Sequence, residues 1–213
     1  MQARQSAAIK RGSSKTMRRR VTFESLKRSA AAILLLLWSP LALLPQSSSL
    51  EGEVKAAFIY NFAQFIQWPN RSFPTRNSPF TMCAIGDPAE GTLEKTIEGE
   101  KLNGRSITVR RLTPADSLQG CHLVYVGALE AKRSQEMLLA ANRIFASDGV
   151  PILTIGDSED FIDLGGMIRF TQADSRIRFE INPDAAQRVS LRVSSRLLRL
   201  ADIVRPRQRS ETR

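Results

Sequence analysis

Two short runs of this chain are apolar at almost every position: "CHLVYVG" from Cys121 and "PILTIG" from Pro151. A strand with one wet face alternates apolar and polar residues. A continuous apolar run has no face to give to water and has to be covered on both sides. Such strands belong to sheets that carry helices on both faces. The pair therefore restricts the chain to a layered α/β architecture.

The remaining pattern supplies the layers. Residues 53–68 read as an amphipathic helix, with Val54, Phe58, Phe62, Phe65 and Ile66 at helical spacing and Pro69 as the stop. Residues 80–86 read as a strand and 92–98 as a short helix. "NGR" at 103–105 is a turn, and 106–112 alternates as a strand. The buried strands are 122–126 and 150–155, and between them 130–146 is a helix with Met137, Leu138, Ala141, Ile144 and Phe145 on its apolar side. Residues 166–171 and 176–181 form a hairpin through "QADS". Asn182 precedes Pro183 as an N-cap precedes a first helical residue. A helical C-terminus follows, anchored by Leu191, Leu197, Leu198 and Ile203 and interrupted near 190–195. The order predicts a single three-layer α/β domain, with a mixed β-sheet flanked by helices, over residues 50–204.

A net charge of +10 suggests nucleic acid or an anionic membrane until the charge is located. Residues 1–49 hold nine basic residues against Glu24 alone, and 205–213 hold four arginines against Glu211. The part that folds, 50–204, has 18 basic and 19 acidic residues and is close to neutral. A nucleic-acid partner is not expected. The basic ends are appendages, and 205–213 reads as a solvated tail.

The N-terminal appendage has the form of an export signal. Arg18-Arg19-Arg20 and Lys27-Arg28 precede "SAAAILLLLWSPLALLP", an apolar run interrupted by Pro40 and Pro45. A membrane span needs about 20 apolar residues. A basic region, a shorter apolar core and small residues make a secretory signal instead, with Ser47 and Ser49 small enough for the positions before cleavage. An uncleaved anchor is the alternative. Met17 would open a compact signal and is the expected true start. Export to an oxidising compartment favours a disulfide between the two cysteines, Cys83 and Cys121, which fall in two segments that read as strands. Two buried free thiols are the alternative.

The candidate chemistry is thin. "IGDPAEG" at 85–91 lacks the spacing of a phosphate loop, and Pro88 removes an amide. His122 is the only histidine and has no nucleophile motif near it. Asp157, Glu159, Asp160 and Asp163 lack the spacing of a calcium loop and read as a solvated acidic turn. Arg176, Arg178 and Glu180 alternate on one strand face, which reads as an exposed face with a cross-strand partner or else as a ligand-binding stripe that Arg169 on the paired strand could join as an anion-binding patch. Trp68, after Phe58, Phe62 and Phe65, reads as core or as an apolar patch for a partner. No nucleophile, base and stabiliser occur together, so an exported binding module without metal or cofactor is expected, not an enzyme.

Several blocks in this order resemble the YfiR/HmsC family of periplasmic regulators: "EVKAAFIYNFAQFIQWP", "FTMCAIGD", "LNGRSITVRRL", "CHLVYVG", "PILTIGDSEDFIDLGGMIRF", "IRFEIN" and "SSRLLRLADIV". The resemblance covers about residues 51–204. It implies a small periplasmic α/β protein that binds the sensor domain of an inner-membrane diguanylate cyclase and represses cyclic di-GMP synthesis. It further implies an outer-membrane lipoprotein antagonist in some systems, a capacity to form homodimers, and a disulfide at Cys83 and Cys121. A second family disulfide has no counterpart near Phe161 and Ile168. For a contact surface, the family hallmark at 151–170 points to Phe161, Ile162, Met167, Ile168 and Arg169, together with Trp68, Arg176 and Arg178. The rival expectation is a periplasmic protein that binds a small anion.

Overall fold

The computed structural model describes residues 47–86, 91–113 and 116–206. The expected export signal up to residue 46, the Met17 start, the middle of the 85–91 loop and the tail from 207 onward lie outside the described residues.

The chain begins with α1 (Ser47–Phe65), runs into β1 (Ile66–Gln67), and passes a 3-10 turn at Asn70–Ser72 to β2 (Phe80–Ile85). Next come α2 (Thr92–Ile97), β3 (Lys101–Leu102), β4 (Arg105–Arg111) and β5 (Leu123–Val126). A 3-10 segment, Ala128–Arg133, leads into α3 (Ser134–Asp148), then β6 (Leu153–Gly156). The hairpin β7 (Ile168–Ala173) and β8 (Arg176–Ile181) follows. The chain then makes α4 (Pro183–Arg188), β9 (Arg192–Val193), α5 (Ser195–Leu198) and β10 (Asp202–Ile203).

Eight strands form one mixed sheet in the order β10-β8-β7-β6-β5-β2-β4-β3. Strands β4, β2, β5, β6 and β7 are mutually parallel, while β8 and β3 pair antiparallel at either side. The chain first steps from β2 outward to β4, then returns past β2 to β5 and moves the other way, so the sheet is doubly wound with its switch point between β2 and β5.

The sheet divides the apolar interior in two. On one face Met82, Ala84, Leu123, Tyr125, Leu153 and Ile155 pack with Ala56, Ile59, Phe62 and Ala63 of α1. On the other, Cys83, Ile85, Val124 and Val126 pack with Met137, Leu138 and Ala141 of α3. Neighbouring residues of one strand thus belong to different cores, as the pleat requires. This is why β5 and β6 are buried at every position. Cys83 and Cys121 are joined, with Cα atoms 5.9 Å apart, in the core beneath α3. In the chain-entropy argument such a loop contributes roughly 4 kcal/mol.

Two expectations shift. The apolar stripe of α1 is rotated: Ile59, Phe62 and Ala63 are buried, whereas Val54, Phe58 and Phe65 are half-buried on its flank, and Ile66 is buried in β1. The C-terminal region is not one interrupted helix. Asn182 caps α4 as expected, its Oδ1 accepting from the Ala185 N–H at 3.1 Å. Beyond α4, β9 pairs with β1 and β10 extends the main sheet beside β8. Long-range partners impose strand on a segment whose local pattern is helical.

Candidate functional site

Strands β6 and β7 are adjacent and parallel, with Ile155 opposite Ile168 and Gly156 opposite Arg169. Parallel neighbours need a crossover, usually a helix. Here residues 157–167 make it out of turns: the Leu164 N–H donates to the Asp160 carbonyl, and the Gly166 N–H to that of Phe161. A crossover without a helix has to bring its own apolar cover for the sheet. Phe161 is that cover, fully buried in the core under α3.

The ring of Phe161 lies between Gly156 and Gly166, and a Cβ on either glycine would overlap it. Gly165 has open space around it but a φ of +100°, which L residues rarely adopt. The glycine pair of the sequence thus divides its work: Gly165 turns the chain and Gly166 makes room for the ring.

Above this crossover opens a cleft of about 910 Å³ at the carboxyl ends of β5 and β6. It is lined by α1 through Glu51 and Lys55, by the crossover, and by the base of the β7–β8 hairpin. The Lys55 ammonium reaches Asp157 Oδ2 at 2.8 Å and Glu51 Oε1 at 2.9 Å, and the Tyr125 hydroxyl donates to the same Asp157 Oδ2 at 2.9 Å. The Lys55 side chain is 11% exposed and that of Asp157 is 5% exposed. Burial pulls the Lys55 pKa down, but the hydrogen bonds and charges of Asp157 and Glu51 outweigh it and hold the ammonium above its usual value. Asp157 Oδ1 is buried and has no hydrogen-bond partner.

The three arginines do not converge. Arg169 holds Glu180 through Nε and Nη2, each at 2.8 Å, and its Nη1 donates to the Glu159 carbonyl. Arg178 and Arg176 face Thr171 and Ala173 on the exposed outer half of the hairpin. Trp68 is half-buried. Its indole N–H donates to the Ala63 carbonyl at 3.0 Å, and its ring meets Phe80 edge-on at 5.0 Å.

At the amino ends of the strands lies a second polar group. His122 accepts the Thr81 N–H at Nδ1, 3.0 Å away, and its Nε2 is 3.0 Å from the Ser72 carbonyl, which assigns the proton to Nε2. Phe73 and Phe80 stack on the ring at 4.9 and 5.2 Å. Arg105 lies 3.9 Å over Phe73 and ties the carbonyls of Thr75, Arg76 and Ser78. Burial, seconded by the Arg105 charge, holds the His122 pKa below its usual value against the opposing pull of the Ser72 carbonyl.

The structure corrects the sequence expectation at four positions. Phe161, Ile162, Met167 and Ile168 are core residues, between 0% and 5% exposed, and offer no surface in this conformation. The crossover folds back onto the sheet and carries them inward. The acidic stretch is also not uniformly solvated: Glu159, Asp160 and Asp163 are exposed, while Asp157 is the buried partner of Lys55. Lys55 was legible as a lysine in register with Ile59 and Phe62 on the buried stripe of α1. Nothing local marked Tyr125 as its neighbour.

A doubly wound α/β domain with a polar cleft at its strand ends is a scaffold shared by many binding and regulatory proteins. Residues 52–202 match the YfiR/HmsC-like family, and the chain belongs to it. That is a family of periplasmic regulators rather than enzymes. Among the described residues no helix is long and apolar enough to cross a membrane. One solved structure is similar in part, the ABC domain in complex with L-Trp from Streptococcus pneumonia, with a TM-score of 0.41 and 11% identity. The match covers 59% of this chain and 55% of that one, and at this level it carries no argument about fold or ligand.

Proposed function

We propose that this protein is exported to the periplasm, binds the periplasmic sensor domain of an inner-membrane diguanylate cyclase, and represses cyclic di-GMP synthesis. Membership of the YfiR/HmsC-like family over residues 52–202 is the observation that carries this reading. Repression of this kind needs no catalytic group. A protein that binds the inactive conformation of the sensor more tightly than the active one shifts the population toward it. Moving that balance from 1:99 to 99:1 takes about 10⁴-fold preferential binding. Trp68, Arg169, Arg176 and Arg178 are the partner-contact candidates that remain after the buried residues are set aside. An outer-membrane lipoprotein that sequesters the repressor, and a homodimer, complete the proposed system.

The small-anion alternative has less support. Its three arginines are dispersed, and the cleft presents six carboxylates against three cations. Deleting the gene and measuring cyclic di-GMP while the cyclase is expressed tests the proposal. The level is expected to rise; an unchanged level refutes it.

A further inference from the structure

At one side of the sheet β4 is covered by β3 only where it begins: Lys101 lies opposite Ser106 and Leu102 opposite Arg105. Among the described residues no strand pairs with residues 107–110 on the outer side. The Leu112 N–H donates to the Ala84 carbonyl at 2.8 Å, so the even-numbered residues of β4 turn their backbone groups toward β2. Ile107 and Val109 turn theirs outward. An edge of this kind is a template for another strand, and proteins guard such edges with charged side chains, bulges or prolines. The middle of this edge, Ile107-Thr108-Val109, is β-branched throughout and holds none of these, and its register with β2 is unbroken. The arginines on either side are drawn back onto their own chain. Arg105 reaches the carbonyls of Thr75, Arg76 and Ser78, Arg110 those of Ser117 and Gln119, and Arg111 the carboxylate of Glu94. Beside the edge runs a groove of about 710 Å³, with Ile97, Ile107 and Val109 among its lining.

The occupant that fits is the same edge. Glu98 and Glu100 line the groove at the end near Ile107, and Arg110 and Arg111 stand at the other end of the strand. A second copy turned about a two-fold axis lays the acidic end of each edge against the basic end of the other. An axis at Val109 uses the whole open stretch. Val109 then exchanges N–H and carbonyl with Val109 of the second copy, Thr108 faces its Arg110, and Ile107 faces its Arg111. Centring the axis on Ile107 would drive the second copy into β3, and centring it on Arg111 would set two like charges face to face.

We propose that two copies of this chain join their sheets antiparallel along β4, on a two-fold axis at Val109, and that the groove beside the edge takes apolar side chains of the second copy. This deepens the homodimer of the repressor reading and rests on that reading only for the purpose of the dimer; the surface and register come from the edge.

The test uses the oxidised, exported chain in analytical ultracentrifugation, where a monomer–dimer equilibrium is expected. Thr108 is exposed and belongs to neither core. Thr108→Lys sets a cation against Arg110 of the second copy and is expected to raise the dimer Kd at least tenfold. Thr108→Asp sets an anion there and is expected to lower it at least threefold. The same two changes at Gln187, exposed on α4, are expected to leave the Kd within twofold. By hydrogen exchange the Ile107 and Val109 amides should be at least tenfold slower at high protein concentration than at low, while the Thr108 amide, turned toward β2, stays unchanged. A monomer at every concentration, shifts of the same sign for Lys and Asp, or unprotected Ile107 and Val109 amides in the dimer each overturn the proposal. Loss of sensor-domain pull-down in Thr108→Lys with an unchanged dimer overturns it in favour of a strand of the partner on this edge. A dimer indifferent to Thr108 sinks this surface alone and leaves the homodimer standing. If the Thr108 variants behave as expected while gene deletion leaves cyclic di-GMP unchanged, the repressor reading falls alone.

Discussion

His122 and Asp157 are buried polar groups at opposite ends of the same parallel strands, and they are treated in opposite ways. Both His122 nitrogens have backbone partners, and Phe73 and Phe80 pack against its ring. It is neutral, satisfied and closed off. Asp157 is half satisfied, is paired to a buried lysine, and borders an open cleft. A fully satisfied buried group stiffens a fold, whereas a partly satisfied one carries the cost of an unpaired polar atom. The amino end of the sheet is closed by this comparison, and the carboxyl end opens onto the cleft.

Four measurements sharpen or break that contrast. The largest effect is expected at the crossover itself. Phe161→Ala empties the space between Gly156 and Gly166 and should cost about 3–5 kcal/mol in urea denaturation. A loss below 1 kcal/mol would mean that the crossover is not held by this ring. Reduction of Cys83–Cys121, beside His122, should cost about 2–4 kcal/mol. It is read as a lower denaturation midpoint with dithiothreitol, and an unmoved midpoint would break the structural role given to this end.

Third, Lys55→Met leaves Asp157 with Tyr125 as its sole charge-stabilising donor and should cost about 2 kcal/mol in urea denaturation. The smallest effect is that of His122. Its folded pKa lies below the unfolded value, so the unfolded chain binds the proton more readily. Stability from this group is full above about pH 6.5 and is lost as pH falls toward the folded value, no more steeply than about 1.4 kcal/mol per pH unit. His122→Gln, uncharged throughout, should remove that slope when denaturation midpoints are compared between pH 7 and 5. A slope that persists would assign it to other groups.

Much of the fold was legible because its signals are local. The continuous apolar runs of β5 and β6 announce two covered faces, and Asn182-Pro183 announces a helix start. The site was less legible. The acidic stretch reads as one solvated turn, but the Asp157 side chain is buried against Lys55 while Glu159 is exposed. Lys55 and Asp157 are 102 residues apart, and no local pattern links them. The exposure expected for Ile162, Met167 and Ile168 failed for the same reason: whether an apolar loop residue faces solvent depends on the sheet beneath it.

The amino-acid sequence by itself determined the layered α/β class, the near-neutral folded part, the cysteine pair and the family, since each is written in periodicity, composition or contiguous blocks. Tertiary structure alone decided that Gly156 and Gly166 serve one phenylalanine ring and that β9 and β10 are strands in a segment of helical pattern. It also decided that an acidic loop, a helical lysine and a strand tyrosine meet at one buried carboxylate. These are non-local pairings, settled only when the chain has closed its loops and buried both faces of the sheet.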